Sequence, residues 1–324
     1  MTIKTITSIY EKNASFFWYN VICWLLLTLY TASLTAQTSS TDTLLTAVKA
    51  MPDDSKKINA LLQITKNYLN TSPNDHQQKV IASCYSSIGG AYAHMGDYKK
   101  ALEYYIKALK IAETLSDKNK ICESYISIGT IFFEQKKYKE TIDYMNKALA
   151  VEGKHTTKRN LAYIYNNIGI SYKSLNYPNQ SLPYQLEALK LNQELNDGYG
   201  TTICYNNLSA LYTALNKPEE ALAYCLKSIA LSEKLNYKVG LTYSYIVAGD
   251  YYEKQADTKT ATAYYLKALQ IAREINHKKE VSEAYEHLAF LNEKLKNFEQ
   301  ALDYHKLYAA IKDTKKKKKN LQQS

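Results

Sequence analysis

Glycine and proline are scarce. Ten Gly and five Pro in 324 residues are too few for an all-β fold, whose many turns need both. They are also too few for the Gly-rich loops that cradle phosphates in nucleotide-binding α/β folds. Catalytic patterns are missing too. The six His are scattered at 76, 94, 155, 277, 287 and 305, and no HExxH, GxSxG, P-loop or CxxC occurs. His305 falls in an aromatic column of the repeat described below and is expected to pack in the core. We therefore expect no enzyme: no catalytic residue, no metal ligand set and no cofactor.

What the chain does have is apolar material, 46% of its residues, with 22% charged. That is a core-forming composition, not a disordered one. Tyrosine is abundant at 31 copies, against six Phe and two Trp. The formal charge is +10, of which Lys315 to Lys319 supply five and the first 36 residues a net one, so the body carries only +4. A basic stripe through the fold is absent, and no nucleic-acid partner is expected.

From Phe16 to Ala36 there is no charged residue; Lys4 and Lys12 precede the stretch and small residues close it at Thr31 to Ala36. A basic start, an apolar middle and a small-residue end read as a secretory signal peptide cleaved after Ala36. Leu34 stands where a small residue is preferred, and the lead-in to the apolar run is long. The alternative is an uncleaved membrane anchor, since 21 uncharged residues can span a bilayer. Either way the protein is expected to be exported, to the periplasm or cell envelope. Of the five cysteines, Cys23 lies in this segment. Cys84, Cys122, Cys204 and Cys225 could pair in an exported protein, but the favoured reading is free thiols acting as small apolar fillers.

Tyrosine occurs at 85, 125, 165, 205, 245 and 285, forty residues apart each time. This is an internal repeat. Four residues after each Tyr stand Gly89, Gly129, Gly169, Ser209, Gly249 and Ala289; sixteen after it stand Ala101, Thr141, Ser181, Ala221, Ala261 and Ala301. Tyr85, Ile88, Gly89 and Tyr92 are spaced as one face of a helix, and Ala101, Tyr105, Ala108 and Leu109 as a second. His94 to Asp97 breaks between them, and Pro178 and Pro218 suit the first turn of later second helices. Each unit is a helix hairpin. Gly in a helix costs about 1 kcal/mol relative to Ala, so its recurrence in one register implies close approach of a neighbouring helix, with the small column as its counterpart. One hairpin cannot bury both faces, so stacked units must share a core.

The pattern aromatic, Ile, Gly, Tyr, then Ala, Tyr, Ala, carried by Tyr85, Ile88, Gly89, Tyr92, Ala101, Tyr105 and Ala108, resembles the tetratricopeptide repeat family. The resemblance covers residues 77–315, as six hairpins, and implies a right-handed superhelical solenoid. The unit is forty residues where the family consensus is 34, as in kinesin-light-chain-like members; the six extra fall between hairpins near Ser116 to Ile121 and lengthen the flanking helices. HEAT-type helical repeats approach this length but lack the small-residue register. Residues 37–76 are expected to cap the stack as a weaker helical pair, and 316–324 to form a basic disordered tail.

The resemblance also implies that the first helices line a concave groove. Asn166 and Asn167 follow Tyr165, and Asn206 and Asn207 follow Tyr205. An Asn side chain both donates to and accepts from a peptide backbone. These four, with Tyr163 and Tyr243, are the candidate site for an extended peptide or protein partner. Ser86, Ser87, Ile126, Ser127, Ile246 and Val247 occupy related positions. The function expected is a non-enzymatic envelope scaffold. The second reading is a signal-sensing module without its output domain, because Asp303 to Asp313 resembles the close of repeat ectodomains in Gram-negative sensor proteins.

Overall fold

The computed structural model describes residues 45–71, 73–151 and 157–321, with side chains as far as 312. The proposed leader therefore lies outside the described residues. Among those described there is no strand, and no helix is long and apolar enough to cross a membrane. Contacts divide the chain into two units, Met1–Met95 and Gly96–Ser324.

In the first unit a short helical stretch at 45–49 precedes α1 (Ser55–Leu69) and α2 (Asp75–His94). Asp54 caps α1 by accepting from the amides of Lys56 and Lys57, and Asn74 and Gln77 form a capping box at α2. The helices pack through Leu61, Ile64, Ile81, Cys84 and Ile88, all buried. Asp53 holds the short stretch to the rest: it pairs with Lys57 at 2.7 Å and with His94, and Lys57 also donates to the Lys49 carbonyl.

The second unit opens with α3 (Tyr98–Thr114) and continues as antiparallel pairs: α4 (Lys118–Glu134) with α5 (Tyr138–Ala150), α6 (Lys158–Ser174) with α7 (Pro178–Glu194), α8 (Gly198–Ala214) with α9 (Pro218–Lys234), α10 (Lys238–Lys254) with α11 (Thr258–Glu274), and α12 (Lys278–Lys294) with α13 (Phe298–Leu321). The all-α solenoid read from the repeat is what forms. From α6 to α12 each helix is 17 residues long. Nine of the turns are alike; the connection from α5 to α6 runs through residues outside the described ones, and α5 ends with Val151 extended. Positive φ falls at Ser116, Lys136, Asn176, Asn196, Asn216, Asn236, Ala256, Asn276 and Lys296, on a twenty-residue spacing. Asn tolerates this left-handed region better than most residues, and five of the nine are Asn. At each the chain closes a Schellman turn, as where Asp117 N–H donates to the Ala112 carbonyl and Ser116 N–H to Glu113. The next residue stands at the N-cap of the following helix, and where it is Asp117, Asp197 or Asp257 its side chain accepts from the third backbone amide. The turn between hairpins thus matches the turn within them, and the extra residues of the unit lie in the helices.

Packing follows the repeat. Buried clusters join the second helix of one hairpin to the first helix of the next: Met145 and Ala148 meet Ile164 and Ile168, and Ala188 and Leu189 meet Cys204 and Leu208. Burying each such Ile or Leu contributes about 2 kcal/mol. Cys84, Cys122, Cys204 and Cys225 are buried, and no disulfide joins them among the described residues. The counterpart of the helical glycine needs correcting. What lies over it is the residue sixteen further on: a Cβ on Gly169 would stand 2.4 Å from Gln185 Nε2. The small column touches the backbone instead, through Ser181 Oγ donating to the Gly169 carbonyl at 2.7 Å.

Tyr125, Tyr165 and Tyr205 occupy equivalent half-buried positions, while Tyr245 and Tyr285 are buried. Each tilts against a Tyr nineteen residues later: 144, 184, 224, 264 and 304. That second column then stacks on Phe132, Tyr172, Tyr212 and Tyr252 at centroid distances of 5.3 to 5.6 Å. Lys147, Lys227 and Lys267 cover its rings. Two expectations fail. Residues 316–321, expected as a disordered tail, continue α13, in keeping with the good helix propensity of Lys. His305, expected in the core, is half exposed, because no hairpin follows α13 in the described residues; it bonds Glu293 at 2.9 Å.

Candidate binding groove

Each first helix from α4 to α12 packs on the first helix of the next hairpin. The second helices make no comparable contacts with one another among the described residues. The stack therefore curves with α4, α6, α8, α10 and α12 on its inner side. Several side-chain bonds cross between these helices, and two of them involve Tyr163 and Asn166 of α6. The Tyr163 hydroxyl lies 3.1 Å from Thr130 Oγ1, and Asn207 Nδ2 donates to Asn166 Oδ1 at 2.7 Å.

The predicted residues divide. Asn166 and Asn207 are half buried and joined to each other, and Tyr163 and Tyr243 are exposed. Asn167 and Asn206 do not face the groove as expected. Asn167 is 4% exposed and bonds back to the Tyr163 carbonyl. Asn206 is 8% exposed and accepts from Ser244 Oγ, itself 2.9 Å from Ser228 Oγ. One residue along a helix is a rotation of about 100°, so adjacent Asn cannot share one environment. Of the related positions, Ser87 and Ser127 bond their own helices, Ile246 is buried, and Val247 is half buried. Ser86 and Ile126 are half buried, Ile126 packing on the Met145 cluster.

Tyr243 stands in the wall of a pocket of about 390 Å³ between α8, α9 and α10. Ala210, Leu222, Cys225, Val247, Asp250, Tyr251 and Lys254 are among the residues that share that wall. Sequence reasoning missed Asp250, which stands one position after the recurrent Gly249. Its Oδ1 accepts from the Tyr265 hydroxyl at 2.8 Å and lies 3.3 Å from His287 Nδ1. The His287 ring stacks on Tyr265 at 4.8 Å. The same hydroxyl lies 2.9 Å from Glu253 Oε2, and Lys294 pairs with Glu253. One phenol hydrogen cannot serve two carboxylates fully. Burial raises the Asp250 carboxyl above its usual range, against the pull of His287 and the Tyr265 bond. Burial works the same way on Glu253, yet Lys294 and Tyr265 hold it low. Burial raises the Tyr243 phenol, with Glu283 and Asp250 adding to the effect. No group of side chains suited to a metal ion occurs among the described residues.

Tetratricopeptide repeat profiles match residues 80–151, 160–234 and 242–275. No curated protein matches the sequence. Solved structures share the fold. The apo quorum sensor NprR from B. thuringiensis is 17% identical, with a TM-score of 0.65, over 95% of this chain and 93% of that one. BtubC from P. vanneervenii is 20% identical, TM-score 0.59, over 68% and 91%. A Rap protein complexed with competence and sporulation factor is 15% identical, TM-score 0.57, over 92% and 96%. Repeat register, hairpin stacking and profile agree: the chain belongs to the tetratricopeptide repeat family.

Proposed function

We propose that the chain is a non-enzymatic scaffold that holds an extended peptide or a protein segment along the inner face of its first helices. The observation that carries this is the Asn166–Asn207 pair. The bond uses one acceptor and one donor. It leaves the Asn166 amide hydrogens and Asn207 Oδ1 for a ligand backbone. The pair bridges two consecutive repeats, so a strand lying there meets both. Following the apolar leader, the scaffold works in the cell envelope. The test is capture of partners from envelope extract by the wild type and by the Asn166→Ala/Asn207→Ala double variant. Unchanged capture would remove the groove from the account.

The second reading is a signal-sensing module. It draws support from NprR, a quorum sensor of the same fold over nearly the full length of both chains. A ligand-dependent change in proteolytic protection of the stack favours this reading; constant protection favours the scaffold.

A further inference from the structure

We propose that the pocket beside Tyr243 receives the cationic side chain, arginine or lysine, of a peptide lying in the groove. This rests on the peptide-binding reading above and adds the chemistry of one ligand residue. The pocket has the parts such a side chain needs. Leu222, Val247 and Cys225 offer an apolar wall for the methylene stem. Tyr243 and Tyr251 line the pocket and bring aromatic rings near the charged head. Asp250 offers the counter-charge. Its Oδ1 is occupied by Tyr265 and His287, while Oδ2 makes no hydrogen bond among the described residues. A half-exposed carboxylate with one oxygen without a partner, in a pocket that Tyr243 and Tyr251 also line, is completed by a guanidinium or ammonium donor.

The other charges around it agree. Glu253 is matched by Lys294, and Glu283 lies 3.4 Å from Lys279. Lys254, one turn beyond Asp250, is exposed and forms no ion pair with it among the described residues. Its long stem lets the ammonium turn to solvent. An anionic ligand group entering the pocket would meet Asp250 as a like charge.

The test uses fluorescence anisotropy with the full chain and capped eight-residue Ala/Ser peptides carrying one central Arg, Lys, norleucine or Glu. The Arg and Lys peptides are expected to bind about tenfold more tightly than the norleucine peptide, and salt is expected to shrink that margin. Asp250→Asn keeps an acceptor for Tyr265 and is expected to abolish the margin without changing norleucine affinity. Tyr243→Leu is expected to reduce it in part, and circular dichroism checks that both variants fold. Equal Arg and norleucine affinities in the wild type, a margin that survives Asp250→Asn, or a preference for Glu would each overturn the proposal while leaving the groove standing. Binding by none of the peptides would overturn both.

Discussion

The ring of Tyr265 lies over Gly249, so that a Cβ on the glycine would stand 2.4 Å from Tyr265 Cε1. Tyr265 is fully buried and anchored by its hydroxyl to Asp250 and Glu253, so it has nowhere to retreat. Gly249→Ala is therefore expected to destabilise the protein by about 1–3 kcal/mol, the usual cost of overpacking, despite the better helix propensity of Ala. Urea unfolding of the variant checks this; an unchanged midpoint would show that the ring can shift aside.

Ala256 carries a side chain at φ +60° in a turn where Asn or Gly is better suited. Ala256→Gly is expected to raise stability by up to about 1 kcal/mol, relieved left-handed strain outweighing the added freedom of the unfolded chain. Ala256→Val is expected to lower it. The measurement is the thermal midpoint of the two variants side by side.

Asn206 and Asn207 are neighbours with different expected phenotypes. Asn206→Ala removes a buried cross-helix bond, the Ser244 hydroxyl turning to the Gly240 carbonyl instead, and is expected to cost about 0.5–1.5 kcal/mol without affecting ligand capture. Asn207→Ala breaks a half-buried bond at the groove, costs about 0.5–1.5 kcal/mol, and weakens ligand capture. A binding loss from Asn206→Ala that matched Asn207→Ala, in a protein of unchanged stability, would reverse the two roles.

Burial pushes the Cys225 thiol from 9.0 to about 12 and Cys204 to about 11, so the folded chain keeps protons that the unfolded chain releases. Their contribution is complete below about pH 9 and is lost as pH rises through 11 to 12. Denaturant midpoints are expected to fall steadily above pH 9, and Cys225→Ala is expected to flatten that slope. Thiol-specific labelling at neutral pH is expected to stay slow until the chain unfolds.

Much of this was legible in the residues. A forty-residue Tyr column, a small column and Pro at helix starts identify helix hairpins because each reflects local sterics or a repeated contact. The second Tyr column, 104 to 304, was equally visible in the sequence; it explains the abundance of Tyr better than the first, since its rings lie between two others. The site was less legible. Whether Asn166 or Asn167 faces the groove depends on the tilt of α6 against α8, and Asn206 is drawn inward by Ser244, 38 residues away. Asp250 gains its interest from Tyr265 and His287, on two other helices, which no spacing rule links to it.

The recurrence of one left-handed turn every twenty residues has an evolutionary consequence. A gene segment copied or lost between two such turns forty codons apart would splice helix to helix and leave every remaining junction intact. Only nearest neighbours touch in such a stack, so the rest of the chain would not register the change. The length of the inner face is therefore a quantity that unequal recombination can alter by whole steps, while a residue such as Asp250 can change within a step.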